Sequence, residues 1–293
     1  MGETIWNNAL EYLKKSRSAW WNEDYMRFLV ERVWKITEPV SIIDFGCGIG
    51  FLGKSLLPML PVGSTYTGID IGDKLLEEAK RDFQNTNYQV EFICSDLIKF
   101  VAKEKYDIAI CQTVLQHIPD PLSILEKMKS AVKDGGLVIG IEISRNAASG
   151  AFYVDGFEYD KLNLLGIEQK IRCNSFDTLK KDFEIGVKLP IYMQKIGLNK
   201  VQARMNDFVQ FVNPYDDDYC EQLEALMYAQ YDDKMTEEMR QQFIEAMINR
   251  GLSREEAIKM FEGQKAIRDY LQENKKSISA VNSHCMFISS GIV

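Results

Sequence analysis

The sequence has 293 residues, which fits one large domain or a domain with a subdomain. Its 46% hydrophobic and 27% charged content is typical of a globular protein, and a net charge of −8 argues against nucleic acid as the main partner. Six cysteines without a Cys-x-x-Cys pair, and only two histidines, predict free thiols and no metal site. No apolar run is long enough to span a bilayer and no signal-peptide pattern is present, so we expect a cytoplasmic protein without a membrane partner.

The first 38 residues predict two amphipathic helices, because apolar side chains recur at helical spacing. Trp20 and Tyr25 lie near the join between the two helices. Packing into a core is the default interpretation of such aromatic residues. The alternative is that this segment lies over the mouth of a ligand site, where both residues would be part of a lid.

A buried strand, a glycine turn and the start of a helix follow. Glycine adopts positive φ without a Cβ penalty, so a ligand can approach this backbone closely. Gly48-x-Gly50-x-x-Gly53 satisfies the dinucleotide fingerprint, which is a weak signal alone. Gly46-x-Gly48-x-Gly50 preceded by Asp44 resembles the first motif of the class I S-adenosylmethionine-dependent methyltransferases. Asp44 favours the second pattern, because a carboxylate repels a pyrophosphate but suits an ammonium and a sulfonium group.

Two further acids follow the next predicted strands. Asp70 lies 20 residues after Gly50, the separation expected of an acid that binds ribose hydroxyls. The resemblance implies that Asp96 contacts the adenine amino group and that Leu97 flanks the adenine ring. A surface aspartate and a helix cap, respectively, are the alternative interpretations of Asp70 and Asp96.

The fourth predicted strand opens into a loop that reaches His117-Ile-Pro-Asp-Pro. Asp120 as N-cap and Pro121 at the first helical position predict the start of a helix. The series is similar to small-molecule methyltransferases related to quinone-biosynthesis enzymes, which implies that backbone at Cys111 and Gln112 faces the methionine end of the cofactor. His117 either locks the loop by a hydrogen bond or acts as a base on the acceptor.

Glu142 lies near the carboxyl end of the fifth predicted strand, where ligands of open α/β sheets bind. It is a candidate acceptor-binding or basic group, and a solvated edge carboxylate is the competing interpretation. The cofactor contacts implied by the resemblance are Asp44, Gly46, Cys47, Gly48, Gly50, Asp70, Ile71, Ser95, Asp96, Leu97, Cys111 and Gln112.

The resemblance implies a Rossmann-like, doubly wound, seven-stranded sheet with an antiparallel last strand. Lys200–Val212 and Ala280–Ser289 are predicted as the closing strand pair. The helices of residues 1–38 and two insertions are predicted to form a cap over the acceptor, with Tyr153 as a candidate acceptor contact, or else a dimer interface. The predicted division is a cofactor-binding core at 39–144, insertions at 145–184 and 214–279, and completion of the core by 185–213 and 280–293.

The function implied is methyl transfer from S-adenosylmethionine to an O, N, S or C atom of a small molecule, with S-adenosylhomocysteine as product. Asn/Asp-Pro-Pro-aromatic and Pro-Cys sequences, which nucleic-acid methyltransferases carry, are absent from the chain. A homodimer is compatible with the sequence. Two alternatives stay open at this point: a non-catalytic S-adenosylmethionine-binding or assembly protein, and an NAD(P)-dependent oxidoreductase.

Overall fold

The computed structural model describes residues 10, 13–14, 20–158, 164–228 and 236–293, and the chain divides into two units. Most of the first predicted N-terminal helix lies outside the described residues. The first unit comprises Met1–Ile143, Ile185–Asp207 and Met286–Val293, and the second comprises Ser144–Glu184 and Phe208–Cys285. No helix in the described part of the chain is long and apolar enough to cross a membrane.

Ten strands and ten α-helices are described. The strands are β1 (Ser41–Phe45), β2 (Thr65–Asp70), β3 (Gln89–Cys94), β4 (Tyr106–Gln112), β5 (Val132–Ile143), β6 (Phe152–Val154), β7 (Asn199–Met205), β8 (Gln210–Val212), β9 (Ala280–Asn282) and β10 (Met286–Ile292). The helices are α1 (Glu23–Phe28), α2 (Phe51–Leu56), α3 (Asp73–Phe83), α4 (Pro121–Ala131), α5 (Arg145–Gly150), α6 (Leu165–Leu179), α7 (Ile185–Lys195), α8 (Tyr219–Tyr228), α9 (Glu237–Asn249) and α10 (Arg254–Glu273).

The first unit is built on a seven-stranded sheet with the order β3-β2-β1-β4-β5-β10-β7. Strands β1 to β5 run parallel, whereas β10 is antiparallel to both of its neighbours, β5 and β7. This arrangement confirms the predicted Rossmann-like sheet with an antiparallel last strand. The strand order reverses between β1 and β4, so the carboxyl ends of these strands border a crevice where ligands bind in open α/β sheets.

Apolar side chains on both faces of this sheet explain its two helical layers. Ile42 packs in one buried cluster with residues of α1 and α2, whereas the adjacent Ile43 packs in another with residues of α4 and α7. Successive side chains of a strand point to opposite faces, so the continuous apolar run of β1 serves both layers. The predicted cap of α4 is confirmed: Asp120 accepts a hydrogen bond from the Ser123 amide at 3.3 Å, and Pro121 follows it.

The two insertions form the second unit together. Its antiparallel three-stranded sheet has the order β6-β9-β8, and its helices pack in two separate apolar clusters. A capping box starts α10, since Ser253 and Glu256 bond reciprocally at 3.1 Å and 2.7 Å.

Each strand of the predicted closing pair is in fact two strands that belong to different sheets. Between β7 and β8 lies Asn206, whose side chain accepts a hydrogen bond from the Met286 amide and donates one to the Trp20 carbonyl, each at 2.9 Å. These bonds end the β7 ladder, and β8 then pairs with β9 in the second unit. The first unit therefore ends at Asp207 and resumes at Met286, a few residues inside the boundaries predicted from the sequence.

Candidate active site

The glycine turn between β1 and α2 adopts the backbone conformation that its sequence predicts. Gly46, Gly48 and Gly50 have φ values of +81°, +54° and +73°. The amides of Gly46 and Cys47 donate to the carbonyl of Ile69 on the neighbouring strand, at 2.8 Å and 2.9 Å. The turn is therefore tied to β2, and L-residues with side chains rarely adopt its conformation.

Two of these glycines also admit close neighbours. A Cβ atom added to Gly46 would lie 2.5 Å from Cγ2 of Val114, so the loop after β4 packs directly on the turn. A Cβ atom on Gly50 would lie 3.3 Å from Ala79 and Phe83. Gly50 thus permits packing on α3, while Gly46 permits packing at the carboxyl end of the sheet.

Asp70 is held at the end of β2 by the turns on either side of it. One carboxylate oxygen accepts from the Gly48 amide and the other from the Gly72 amide, both at 2.8 Å. A carboxylate offers about four lone-pair sites, so it can accept more hydrogen bonds than the two from these amides. The charge and direction of this acceptor are therefore set by the fold.

Asp44 is the second acid, buried at the end of β1. Its carboxylate accepts from the Tyr66 hydroxyl at 2.6 Å. Burial, and then the negative charge of Asp44, raise the pKa of Tyr66 well above its ordinary value. The same two causes, with a further contribution from Asp70, raise the pKa of the Cys47 thiol, so Cys47 is a neutral thiol rather than a nucleophile.

Asp96 is the third acid, in the turn after β3. Its carboxylate accepts from the Ile98 amide at 2.9 Å, and its carbonyl accepts from the Lys99 and Phe100 amides. It therefore caps a turn, as the alternative interpretation states. It also lines a cleft together with Leu97, so capping a turn and facing a ligand are compatible here.

A cleft of about 330 Å³, within the size range of small-molecule sites, brings together seven of the twelve predicted cofactor contacts and His117. A cavity of about 30 Å³, room for one water molecule, shares Gly46, Gly48 and Gln112 with it and reaches Asp44 and Cys47. The predicted residues that line the cleft are Gly46, Gly48, Asp70, Ile71, Asp96, Leu97, Gln112 and His117. Lining residues that were not predicted are Leu13, Leu75, Ile98, Thr113, Val114, Ile118 and Pro119.

The side chain of Gln112 contributes an uncharged amide to the lining of the cleft. It is buried and lines both cavities. Among the described residues, neither polar atom of its amide has a hydrogen-bond partner. Buried polar groups are normally satisfied, so this amide marks a position where a polar ligand group completes the site.

Three of the predicted cofactor contacts lie outside the lining of both cavities. Gly50 faces α3, the Ser95 amide donates to the Asp70 carbonyl at 2.9 Å, and Cys111 is fully buried in the core. Burial, and then the charges of Glu142 and Asp44, raise the pKa of the Cys111 thiol well above its ordinary value. These three residues therefore contact other parts of the protein and do not line the cleft.

His117 and Glu142, the predicted catalytic candidates, occupy different positions. His117 lines the cleft, and its amide donates to the Val114 carbonyl at 3.0 Å. Glu142 is fully buried, and one carboxylate oxygen accepts from the amides of Val114 and Leu115 at 2.8 Å and 2.7 Å. The interpretation of Glu142 as a solvated edge carboxylate is therefore wrong, because the acid holds the loop beside the cleft.

The aromatic residues predicted for a lid or acceptor site are spread over both units. Trp20 is buried in the core of the first unit. Tyr25 donates from its hydroxyl to the Met205 carbonyl at 2.8 Å, and partial burial raises its pKa. Tyr153 is an exposed residue of β6 in the second unit. Their roles as lid or acceptor contacts stay predictions, as does a cap formed by the second unit.

Comparisons with known proteins identify a family for this chain. A family described as a methyltransferase domain matches residues 36–184. The chain is 38% identical over 127 residues to the ubiquinone biosynthesis O-methyltransferase of Nitrosospira multiformis, which covers 43% of this chain and 52% of that protein. It is 36% identical over 121 residues to the protein of that name in Escherichia coli, which covers 41% and 49%. The chain thus spans about half the length of these curated relatives.

Solved structures of methyltransferases are also similar. One is phosphoethanolamine N-methyltransferase 2 of Haemonchus contortus in complex with S-adenosyl-L-methionine, at 15% identity and a TM-score of 0.47, covering 92% of this chain and 52% of that one. Another is an S-adenosylmethionine-dependent methyltransferase of Clostridium acetobutylicum, at 20% identity and a TM-score of 0.41, covering 51% and 63%. Because the methyltransferase-domain family matches just over half of its residues, this chain belongs to the class I S-adenosylmethionine-dependent methyltransferases.

Proposed function

We propose that this protein transfers a methyl group from S-adenosylmethionine to a small-molecule acceptor. The observation that carries the proposal is one cleft in which the anchored carboxylate of Asp70 and the unsatisfied amide of Gln112 both face inward. The Asp70 carboxylate can accept hydrogen bonds from the hydroxyls of a ribose, and the Gln112 amide can bond to a polar group of an amino-acid tail.

The residues present fit the cofactor along its whole length. Asp70 would accept from the two ribose hydroxyls, while Asp96 and the apolar surface of Leu97 would hold the adenine. The glycine turn with Asp44 and Gln112 would hold the methionine end, where the carboxylate of Asp44 is complementary to a cationic group. When bound, S-adenosylmethionine supplies an activated methyl group on its sulfonium and leaves as S-adenosylhomocysteine.

The chain has little chemistry to add beyond alignment and, for some acceptors, removal of a proton. The names of the curated relatives favour a hydroxyl oxygen as the atom that is methylated. His117 lines the cleft, and an imidazole there is a candidate to accept the hydroxyl proton. We infer that Glu142, which is buried behind the loop, does not contact the acceptor.

Binding of S-adenosylhomocysteine to the purified chain tests this proposal. A ligand that binds the native state raises the melting temperature, so S-adenosylhomocysteine should raise it and NAD should not. Asp70→Asn should weaken binding by about tenfold to a hundredfold, because hydrogen bonds to a charged acceptor are strong. Asp217→Asn, a change at an exposed aspartate of the second unit, should leave binding as it is.

The binding experiment can contradict the proposal in two ways. A shift with NAD alone would assign the cleft to another cofactor. Unchanged S-adenosylhomocysteine binding in the Asp70→Asn variant would remove the ribose assignment. Transfer of labelled methyl from S-adenosylmethionine to phenolic acceptors then tests catalysis, with His117→Gln expected to lower the rate of transfer about a hundredfold if His117 is the base.

A further inference from the structure

The loop after β4 forms one long wall of the cleft, and its first residue has an unusual backbone. Thr113 has φ = +54°. Positive φ is rare for residues with a Cβ atom and rarer still for a β-branched one. The Thr113 amide donates to the Ile141 carbonyl on β5 at 2.8 Å, which fixes the point where the chain leaves the sheet.

Glu142, the next residue along β5, holds the following two residues of this loop. A single oxygen of its carboxylate accepts both the Val114 and the Leu115 amides, within 2.8 Å. The acid is fully buried. Hydrogen bonds to an ionised acceptor are roughly twice as strong as neutral ones, so two of them can hold a strained backbone in place.

The held segment reaches the glycine turn. Val114 packs on Gly46 so closely that a Cβ atom there would lie 2.5 Å from Cγ2 of Val114. On its other side the loop continues to His117 and Pro119, which line the cleft. Glu142 thus holds, through two amides, a loop that contacts the glycine turn and lines the cleft.

We propose that Glu142 is a positioning residue, whose carboxylate keeps the loop of residues 113–115 in the strained conformation that shapes the cofactor cleft. This inference rests on the proposed function, because it deepens the role of the same cleft. It predicts that the hydrogen bonds to the Glu142 carboxylate offset the backbone strain at Thr113. A substitution that relieves the strain should then make the charge of Glu142 unnecessary for cofactor binding.

Single and double substitutions test this prediction, and the measured quantity is the dissociation constant for S-adenosylhomocysteine. Glu142→Gln should raise the constant about tenfold, since the charged component of two hydrogen bonds is lost. Adding Thr113→Gly should restore the constant to within about threefold of the native value, because glycine adopts φ = +54° without strain. Adding Thr113→Ala, which keeps the Cβ atom, should not restore it. Glu126→Gln on the exposed face of α4 is the matched control.

Two results of this cycle would overturn the proposal. One is unchanged affinity in Glu142→Gln. The other is equal recovery with Thr113→Gly and Thr113→Ala, which would mean that strain has no part in it.

Amide hydrogen exchange gives a readout that does not depend on binding of S-adenosylhomocysteine. Val114 and Leu115 amides should be protected in the native chain and in Thr113→Gly, and should exchange about tenfold faster in Glu142→Gln. Rapid exchange in the native chain would refute the positioning role. If the native chain bound no S-adenosylhomocysteine while these amides behaved as stated, the proposed function alone would fail.

Discussion

Gly46 and Gly135 share a φ of +81° but differ in what surrounds them. A Cβ atom on Gly46 would meet Val114 at 2.5 Å, whereas one on Gly135 would meet nothing within 4 Å. Substitutions at these two glycines therefore distinguish the free-energy cost of backbone strain from the additional cost of a clash with Val114.

We predict that Gly135→Ala lowers the free energy of unfolding by only ~1–2 kcal/mol, the cost of a left-handed conformation for an L-residue. Gly46→Ala should lower it further and weaken S-adenosylhomocysteine binding at least tenfold, because Val114 must move from the turn. Urea unfolding and calorimetric titration of both variants measure the two effects. Equal losses in both variants would show that the contact with Val114 is unimportant.

Individual residues also differ in how far the sequence predicts their positions in the site. Asp70 was predicted from its spacing after the glycine turn, because a strand-turn-helix unit has a nearly constant length. Gln112 was predicted only through its backbone, since nothing in a sequence shows that a side-chain amide will be buried without a partner. Thr113 and Leu13 carry no local signal at all, and Thr113 is held beside the cleft by its hydrogen bond to Ile141 on β5, far away in sequence.

At the scale of elements, Asp107 on β4 joins three strands at the amino end of the parallel sheet. Its carboxylate accepts from the amide and hydroxyl of Ser41 at the start of β1, at 2.8 Å and 2.7 Å. It also pairs with Lys133 of β5 at 2.7 Å. Partial burial works against ionisation, but the bonds from Lys133 and Ser41 outweigh it and hold the pKa of Asp107 below its ordinary value.

We predict that Asp107→Asn lowers the free energy of unfolding at pH 7 by only ~1 kcal/mol, because a third of this side chain is exposed to solvent screening. The folded-state pKa is lowered, so the contribution is present above the unfolded value of about 3.9 and is lost as the pH falls through the folded value. The difference from the native chain should therefore shrink as the pH falls below the unfolded value. Denaturant titrations at pH 7 and pH 3 measure it, with exposed Asp134→Asn as control. A loss of equal size at both pH values would contradict the assignment.

Element boundaries were predictable where local pattern alone decides them. Apolar spacing bounded by a glycine and a polar segment predicts a helix over Asp73–Phe83, and these are the bounds of α3. Lys200–Val212 was predicted as one strand and is two, because the break depends on Asn206 reaching Met286 and Trp20, far away in sequence. Hydrogen bonds between residues far apart in sequence do not change the local spacing of apolar residues, so the sequence pattern does not predict them.

At the scale of the whole molecule, every residue that lines the cleft belongs to the first unit. At each junction with the second unit, the residues where the chain leaves the first unit and returns to it lie close together. At one junction the Asn206 amide donates to the Met286 carbonyl at 2.9 Å, and at the other Gly186 packs on the carbonyls of Glu142 and Ile143. Short connections can therefore replace each segment of the second unit.

We predict that a shortened chain, with Gly-Ser linkers joining Ile143 to Ile185 and Asp207 to Met286, folds and binds S-adenosylhomocysteine with nearly native affinity. Its cofactor residues and both apolar clusters of the sheet are retained. Calorimetric titration measures the affinity, and the same chain with Asp70→Asn is the control. A folded shortened chain that binds no S-adenosylhomocysteine would mean that the second unit supplies cofactor contacts.

The sequence located both insertions, because the regular alternation of strands and helices stops after β5. It did not show that the insertions form one unit, since β6 and β9 pair residues as distant as Phe152 and Asn282. A strand of three residues also carries too little pattern to identify its partner.

The order of β10 in the sheet has a consequence for how the chain is made. This strand lies between β5 and β7 but is synthesised after both, and the whole second unit intervenes. On the ribosome, strands β1 to β3 emerge early, whereas the edge of β5 that pairs with β10 stays unpaired while the 142 residues between Ile143 and Met286 are synthesised. Open strand edges attract other chains, so we expect this interval, rather than the finished enzyme, to be where aggregation competes with folding.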